Sequence, residues 1–162
     1  MAASLRIYKI DEKYIRFLYS RDKKVQYNKG SRRPYIGVVM NVGKYKYFVP
    51  MESPKPNHKN MKPGKHIMLI GNGTMGLLGF NNMVPVPEEA LIPFDINAVE
   101  DEKYKGLLLR QASACNKAKA EIMRRASDTY FDVVNKKNEF LQRISCDFEK
   151  LERACKAYDP NR

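Results

Sequence analysis

The chain has 162 residues, 43% of them apolar, enough to bury a sizeable core without metal or disulfide staples, so one domain spanning 1–162 is expected. Its formal net charge of +12 lies wholly in residues 1–65, where 16 Lys and Arg face 4 Asp and Glu; residues 66–162 carry 14 of each. No run approaches the roughly 18 apolar residues of a membrane span, whereas cations clustered in this way attract a polyanion and release its condensed counterions, which makes nucleic acid the leading partner class.

In chain order, Leu5 to Ile10 alternates as a short strand, and Asp11 is placed to cap an amphipathic helix carrying Tyr14, Ile15, Leu18 and Tyr19 at helical spacing. From Arg21 to Arg33 apolar residues thin out while Lys23, Lys24, Lys29, Arg32 and Arg33 gather around Tyr27 and Gly30, which predicts a flexible basic loop. Tyr35 to Val42 and Lys44 to Val49 flank Gly43 as the two strands of a hairpin, with Pro50 ending the second. Another polar loop, Met51 to Lys65, holds four lysines and three prolines. His66 to Ile70, Gly76 to Phe80 and Met83 to Val86 are short apolar runs between turn signals, so further antiparallel strands are expected.

Beyond Pro93 the period changes. Tyr104, Leu107, Leu108, Gln111, Cys115, Ala118, Ile122 and Ala126 recur at three- and four-residue steps, as one face of a long helix requires. A further helix is predicted over Asp128 to Leu141, with Ser127 either breaking the chain or absorbed into a longer helix, and a last helix follows Asp147 with Phe148, Leu151 and Cys155 inward. Strands first and helices afterwards give an α+β chain with its helices mainly in the C-terminal part.

Chemistry that needs a metal or a nucleotide cradle finds little support. Cys115, Cys146 and Cys155 form no C-x-x-C pair and read as reduced core residues; His58 and His66 are the only histidines, and no ligand spacing surrounds them. No P-loop, G-x-G-x-x-G or G-x-S-x-G pattern occurs, and Gly71-Asn72-Gly73 reads as a turn. The opening Met1 to Arg6 lacks the apolar core of a secretory signal, so a cytoplasmic location is expected.

Reactive groups concentrate in Pro50 to His58, where three prolines stiffen a loop that projects the hydroxyl of Ser53, the cation of Lys55 and the imidazole of His58. RNA cleavage by internal attack needs the 2′-hydroxyl deprotonated, the phosphorane charge neutralised and the leaving 5′-oxygen protonated, and these side chains could divide that work.

Ser53-Pro54-Lys55 followed by His58, after the strand Tyr45 to Pro50, resembles the signature of the ToxN/AbiQ endoribonuclease toxins. Similar landmarks run in order along most of the chain: Ile7-Tyr8, Lys13-Tyr14-Ile15, Arg33-Pro34-Tyr35-Ile36-Gly37, Phe80-Asn81-Asn82-Met83-Val84-Pro85, Ser127-Asp128 and Cys146-Asp147-Phe148. The resemblance implies a compact, strongly twisted antiparallel sheet like the MazF/Kid toxin core, with added helices. It implies a type III toxin-antitoxin system in which a metal-independent ribonuclease is inhibited by a small, repeat-derived RNA pseudoknot that it cuts from a precursor. It also implies 2′,3′-cyclic phosphate and 5′-hydroxyl ends, a closed protein–RNA assembly, and a connection to phage defence or plasmid maintenance.

Carried over by position, Ser53 and Lys55 match the family's active-site motif, His58 matches in spacing, and Tyr27 matches a loop tyrosine with a short gap. On this basis Lys55 stabilises the phosphorane, Ser53 positions the scissile phosphate, and His58 or Tyr27 assists proton transfer; Lys55 as base is the variant of that scheme. Lys29, Arg32, Arg33, Lys59 and Lys62 are the expected RNA contacts, for the antitoxin and for cellular or phage substrates, and no cofactor is expected. One departure stands out: a hydroxyl residue often precedes the serine in the family, and here the residue is Glu52, which either turns away, pairs with a lysine, or acts as a base. Duller roles remain for each residue, with Ser53 capping a turn, His58 touching phosphate, and Tyr27 stacking on a base or packing on the sheet. A non-catalytic RNA-binding regulator is the alternative function.

Overall fold

A computed structural model describes residues 4–162. Strand β1 (Arg6–Ile10) buries Ile7 and Ile10, and helix α1 (Glu12–Arg21) follows at once because the Asp11 side chain accepts the Lys13 N–H at 3.0 Å and caps it. The helix turns Tyr14, Ile15 and Leu18 inward, as their spacing requires. The expected hairpin is present: β2 (Tyr35–Val42) pairs with β3 (Tyr45–Glu52) from Tyr35↔Pro50 to Val42↔Tyr45.

Pro50 does not end the second strand. A proline removes one donor and leaves its neighbours free to bond. The Met51 N–H donates to the Pro34 carbonyl at 2.9 Å, and Met51 and Glu52 then pair with Leu78 and Leu77 of another strand. That strand, β5 (Leu77–Gly79), sits beside β4 (Ile67–Leu69), while β6 (Val84–Pro85) pairs with β3 and β7 (Leu91–Ile92) with β1. All pairings are antiparallel, in the order β4-β5-β3-β2-β1-β7 with β6 beside β3.

The helical region differs in its joints. The long apolar face is shared by two helices, α2 (Glu102–Lys117) and α3 (Lys119–Val134), which meet at Ala118 (φ −101°, ψ 18°); Ser127 lies inside α3. Leu108 and Cys115 on α2 and Ile122 and Ala126 on α3 are all buried, so the pattern runs through the joint without marking it. The helix expected over 128–141 is instead the end of α3 and a short α4 (Glu139–Ile144), capped by Asn138. The last helix, α5 (Phe148–Ala157), is capped by Asp147 as expected. Cys115 and Cys146 are buried, Cys155 is partly so, and all three are free thiols. Among the described residues no helix is long and apolar enough to cross a membrane.

Sheet and helices share one core, in which Tyr35, Tyr47, Phe48, Phe80 and Phe148 are fully buried. Its polar tie is the Glu152 carboxylate on α5, which accepts the Tyr47 hydroxyl of β3 at 2.6 Å and the Tyr130 hydroxyl of α3 at 2.8 Å. Burial, then the hydrogen bond to Glu152, push the Tyr47 phenol far above its ordinary range, so it is a permanent donor. Tyr47→Phe removes that donor at nearly constant volume and is expected to lower unfolding free energy by about 1–3 kcal/mol, measured by urea denaturation; an unchanged midpoint would dismiss the tie.

Candidate active site

Register decides which loops meet. Because Tyr35 lies opposite Pro50, the basic loop entering β2 and the basic loop leaving β3 emerge side by side at one end of the hairpin. The first is pinned at the buried Asn28: its side-chain amide donates to the Ile10 carbonyl at 2.7 Å, and its backbone carbonyl accepts the N–H groups of Arg32 and Arg33, each at 3.0 Å. Ser31 Oγ accepts the Glu12 N–H at 2.7 Å, fastening the loop to α1. Arg33 bridges the two loops, donating through Nε to the Tyr27 carbonyl at 2.9 Å and through Nη1 to the Met51 carbonyl at 3.4 Å.

Tyr27 is 54% exposed. Its ring lies 4.6 Å from that of Tyr19, tilted by 33°, and the Lys23 ammonium sits 4.3 Å over Tyr19, so the loop presents a pair of rings flanked by a cation. Lys29 and Arg32 are exposed beside it, and Lys59 and Lys62 are exposed on the other loop.

The second loop leaves β3 at an exposed Ser53, passes Pro54 and Lys55, and folds into a single 3₁₀ turn, Pro56–Asn60. His58 departs from the expectation of a solvent-facing proton carrier: it is 2% exposed. Its Nδ1 accepts the Lys55 N–H at 3.2 Å, which places the ring proton on Nε2, 3.6 Å from Glu52 Oε1. The same carboxylate oxygen lies 2.6 Å from Lys55 Nζ. Of the three roles open to Glu52, pairing with a lysine is what the structure displays. Burial pushes its carboxyl up; the hydrogen bond from Lys55 and the charges of Lys55, His58 and Arg33 outweigh that and leave it below the usual carboxylate range.

The turn has a seat. Gly76 (φ +99°) lies so close that a Cβ there would meet the Glu52 carbonyl oxygen at 2.0 Å, and one on Gly73 (φ +91°) would meet the His58 carbonyl oxygen at 2.5 Å. Sequence reasoning identified 71–73 as a turn and missed its place beneath the loop. The signal was there in Gly71, Gly73 and Gly76, three glycines within six residues, which is how a backbone makes room for another backbone. The roles of Asn28 and of Arg33 as a bridge had no local signal.

Residues 6–156 match the profile of a family described as Toxin ToxN, type III toxin-antitoxin system. The chain is 33% identical to the endoribonuclease ToxN of Bacillus thuringiensis subsp. kurstaki, across 94% of this chain and 84% of that protein. It is 28% identical to the endoribonuclease AbiQ of Lactococcus lactis subsp. lactis, across 96% and 90%. A solved structure concerned with selective toxin inhibition by a non-coding RNA pseudoknot in type III toxin-antitoxin systems superposes with a TM-score of 0.84 at 28% identity, covering 96% of this chain and 98% of that one. The structure of AbiQ, a lactococcal anti-phage endoribonuclease, has the same fold, with a TM-score of 0.83 at 24% identity over 96% and 98%. The mixed architecture of antiparallel sheet and C-terminal helices is therefore that of the type III toxins. The chain belongs to the ToxN/AbiQ family.

The seat can be tested apart from function. Gly76→Ala adds a methyl against backbone at a positive φ and is expected to cost about 2–4 kcal/mol. Gly43→Ala is the control, since φ is +56° there but nothing lies within 4 Å; it should cost only about 1 kcal/mol. Equal losses by chemical denaturation would show that the loop does not depend on the close approach.

Proposed function

We propose that this chain is a metal-independent endoribonuclease toxin of a type III system, cutting RNA by internal attack of the 2′-hydroxyl and held inactive by a folded, repeat-derived antitoxin RNA that it processes itself. The observation that carries the proposal is the exposed Ser53 with Lys55 two residues on, at the hairpin end where both cationic loops meet, in a chain whose relatives are named endoribonucleases. A phosphodiester that spans the loops meets Lys29 and Arg32 on one side and Lys59 and Lys62 on the other. Lys55 then faces the charge that develops on the non-bridging oxygens, and Ser53 holds the phosphate by a hydrogen bond. A covalent serine adduct has no place in this scheme, since among the described residues no base is paired with Ser53 and the 2′-hydroxyl is already at hand.

His58 serves as a positioning residue in this scheme, fixing the Lys55 backbone from beneath. Tyr27 and Tyr19 offer a stacking surface for a base on the single strand, as exposed rings do in single-strand RNA recognition. The antitoxin binds the same loops as a retained product. That implies a cytoplasmic protein–RNA assembly, and release of the toxin fits a role in phage defence or plasmid maintenance.

Lys55→Ala and Ser53→Ala should each lower the cleavage rate of an RNA substrate at least about a hundredfold while leaving the unfolding midpoint near wild type. The wild-type products should carry 2′,3′-cyclic phosphate ends and form undiminished in excess chelator. Intact RNA with wild-type protein would leave only a binding function; lost cleavage in chelator would remove metal independence. Binding should also weaken with salt by a log–log slope of about −0.7 for each phosphate neutralised on a single strand. Lys29→Glu or Arg32→Glu should weaken it far more than Lys136→Glu or Lys137→Glu, and equal losses would dissolve the role of the cationic loops.

A further inference from the structure

The endoribonuclease scheme lacks a base. The imidazole of His58 is buried with Nδ1 occupied, and the Tyr27 phenol is raised above its ordinary value, first by its hydrogen bond to Tyr19, which makes it a poor proton acceptor near neutrality. One anionic oxygen stands beside the reactive lysine, Glu52 Oε1, 2.6 Å from Lys55 Nζ and with its side chain 31% exposed. We propose that Glu52 takes the 2′-hydroxyl proton and that Lys55 delivers one to the leaving 5′-oxygen, the two side chains working as a coupled acid–base pair. The inference rests on the endoribonuclease reading above and adds the identity of its proton carriers.

The step balances. The 2′-O–H bond breaks and its proton moves to the Glu52 carboxylate; O2′ bonds to phosphorus; the P–O5′ bond breaks; O5′ takes a proton from the Lys55 ammonium. The RNA leaves as a 2′,3′-cyclic phosphate and a 5′-hydroxyl. The protein is left with a carboxylic acid beside a neutral amine, and because these groups sit 2.6 Å apart in the free protein, one proton transfer between them restores the ion pair. The 2′-hydroxyl is a far weaker acid than a carboxylic acid, so its proton passes to Glu52 only as O2′ bonds to phosphorus; the transfer from the ammonium to the departing O5′ and the return of a proton from the carboxylic acid to the amine both run downhill.

Position supports the assignment as well as chemistry. Glu52 is the last residue of β3, fixed by its pairing with Leu77 and by the close approach of Gly76, so its carboxylate has a defined origin next to Ser53. The charged or titratable groups that face it are Lys55 and His58 on the turn and Arg33 on the neighbouring loop; the packed segment of β5, Gly76 and Leu77, brings none. In the free protein the hydrogen bond from Lys55 and the charges of Lys55 and Arg33 help keep the carboxylate ionised. A phosphate arriving at Lys55 competes for the ammonium and leaves the carboxylate free to accept a proton.

The test uses multiple-turnover cleavage of a short RNA by the full chain. Glu52→Gln should lower kcat about 10²–10⁴-fold with KM changed by less than about threefold, and Glu52→Asp should recover part of the loss. The wild-type profile of kcat/KM should fall on the acid side only below about pH 4.3, the ordinary glutamate value, because the folded carboxyl lies lower still. The acid limb of kcat should sit at higher pH, as bound phosphate draws Lys55 away. Both limbs should vanish in Glu52→Gln, which a purely structural role would not bring about. An RNA with a bridging 5′-sulphur, whose thiolate leaves unprotonated, should rescue Lys55→Ala in part, restoring the share lost with the general acid, and should not rescue Glu52→Gln. Wild-type cleavage with a Glu52→Gln variant of equal kcat, or with its acid limb intact, overturns the inference alone; wild-type protein that cleaves nothing overturns the reading it rests on.

Discussion

Strand β3 is bonded on both edges, to β2 along one side and to β6 and then β5 along the other, and the position of every group at the site follows from that. A strand bonded on two sides and buried on both faces cannot slip without breaking both ladders and carrying a buried residue out at one end. Its run of buried residues, Tyr47 to Met51, therefore fixes where burial stops, and it stops at Glu52. Everything beyond that residue is loop held by a rigid sheet, which is where reactive side chains gain fixed geometry and access together.

The ion pair at the end of that strand contributes little to folding. Both partners are substantially exposed, at 58% and 31% of their side chains, and pairs of this kind are worth about 0–1 kcal/mol. Its placement needs another reason. A carboxylate among Lys55, His58 and Arg33 reduces the local attraction for phosphate in a part of the chain that otherwise accumulates positive charge. For a protein that only bound RNA this would be a loss; for one that must move a proton from a 2′-oxygen to a 5′-oxygen, it supplies the acceptor.

Much of this was legible in the sequence, for local reasons. The cap at Asp11, the hairpin around Gly43 and the cap at Asp147 are set by residues within a few positions of one another, and each fell where the pattern put it. The ordered short motifs carried the family, and the hairpin by itself brought the two basic loops to one end. What was not legible depends on contacts remote in sequence. Pro50 looks like a strand end until β5 supplies Leu78 as a partner for Met51. The joint at Ala118 is silent because both helices bury the same face. The burial of His58 depends on the turn at Gly71–Gly73 coming up beneath it, and a histidine between Asn57 and Lys59 gives no hint of that.

The division of charge along the chain thus acquires a structural meaning. The N-terminal half builds the hairpin and both of its loops, so the cations of those loops collect at one end of the sheet, while the C-terminal helices use their balanced charges in local pairs such as Arg125 with Glu121 at 3.0 Å, and in fastening Glu152 to the sheet. A polyanion is attracted to an end where the field is not cancelled, and at that end the Glu52 carboxylate already holds Lys55, the lysine of the proposed site. In the proposed scheme, exchange of partners at Lys55, carboxylate for phosphate, couples binding to chemistry: the event that would seat the RNA is also the event that would release the group able to take its proton.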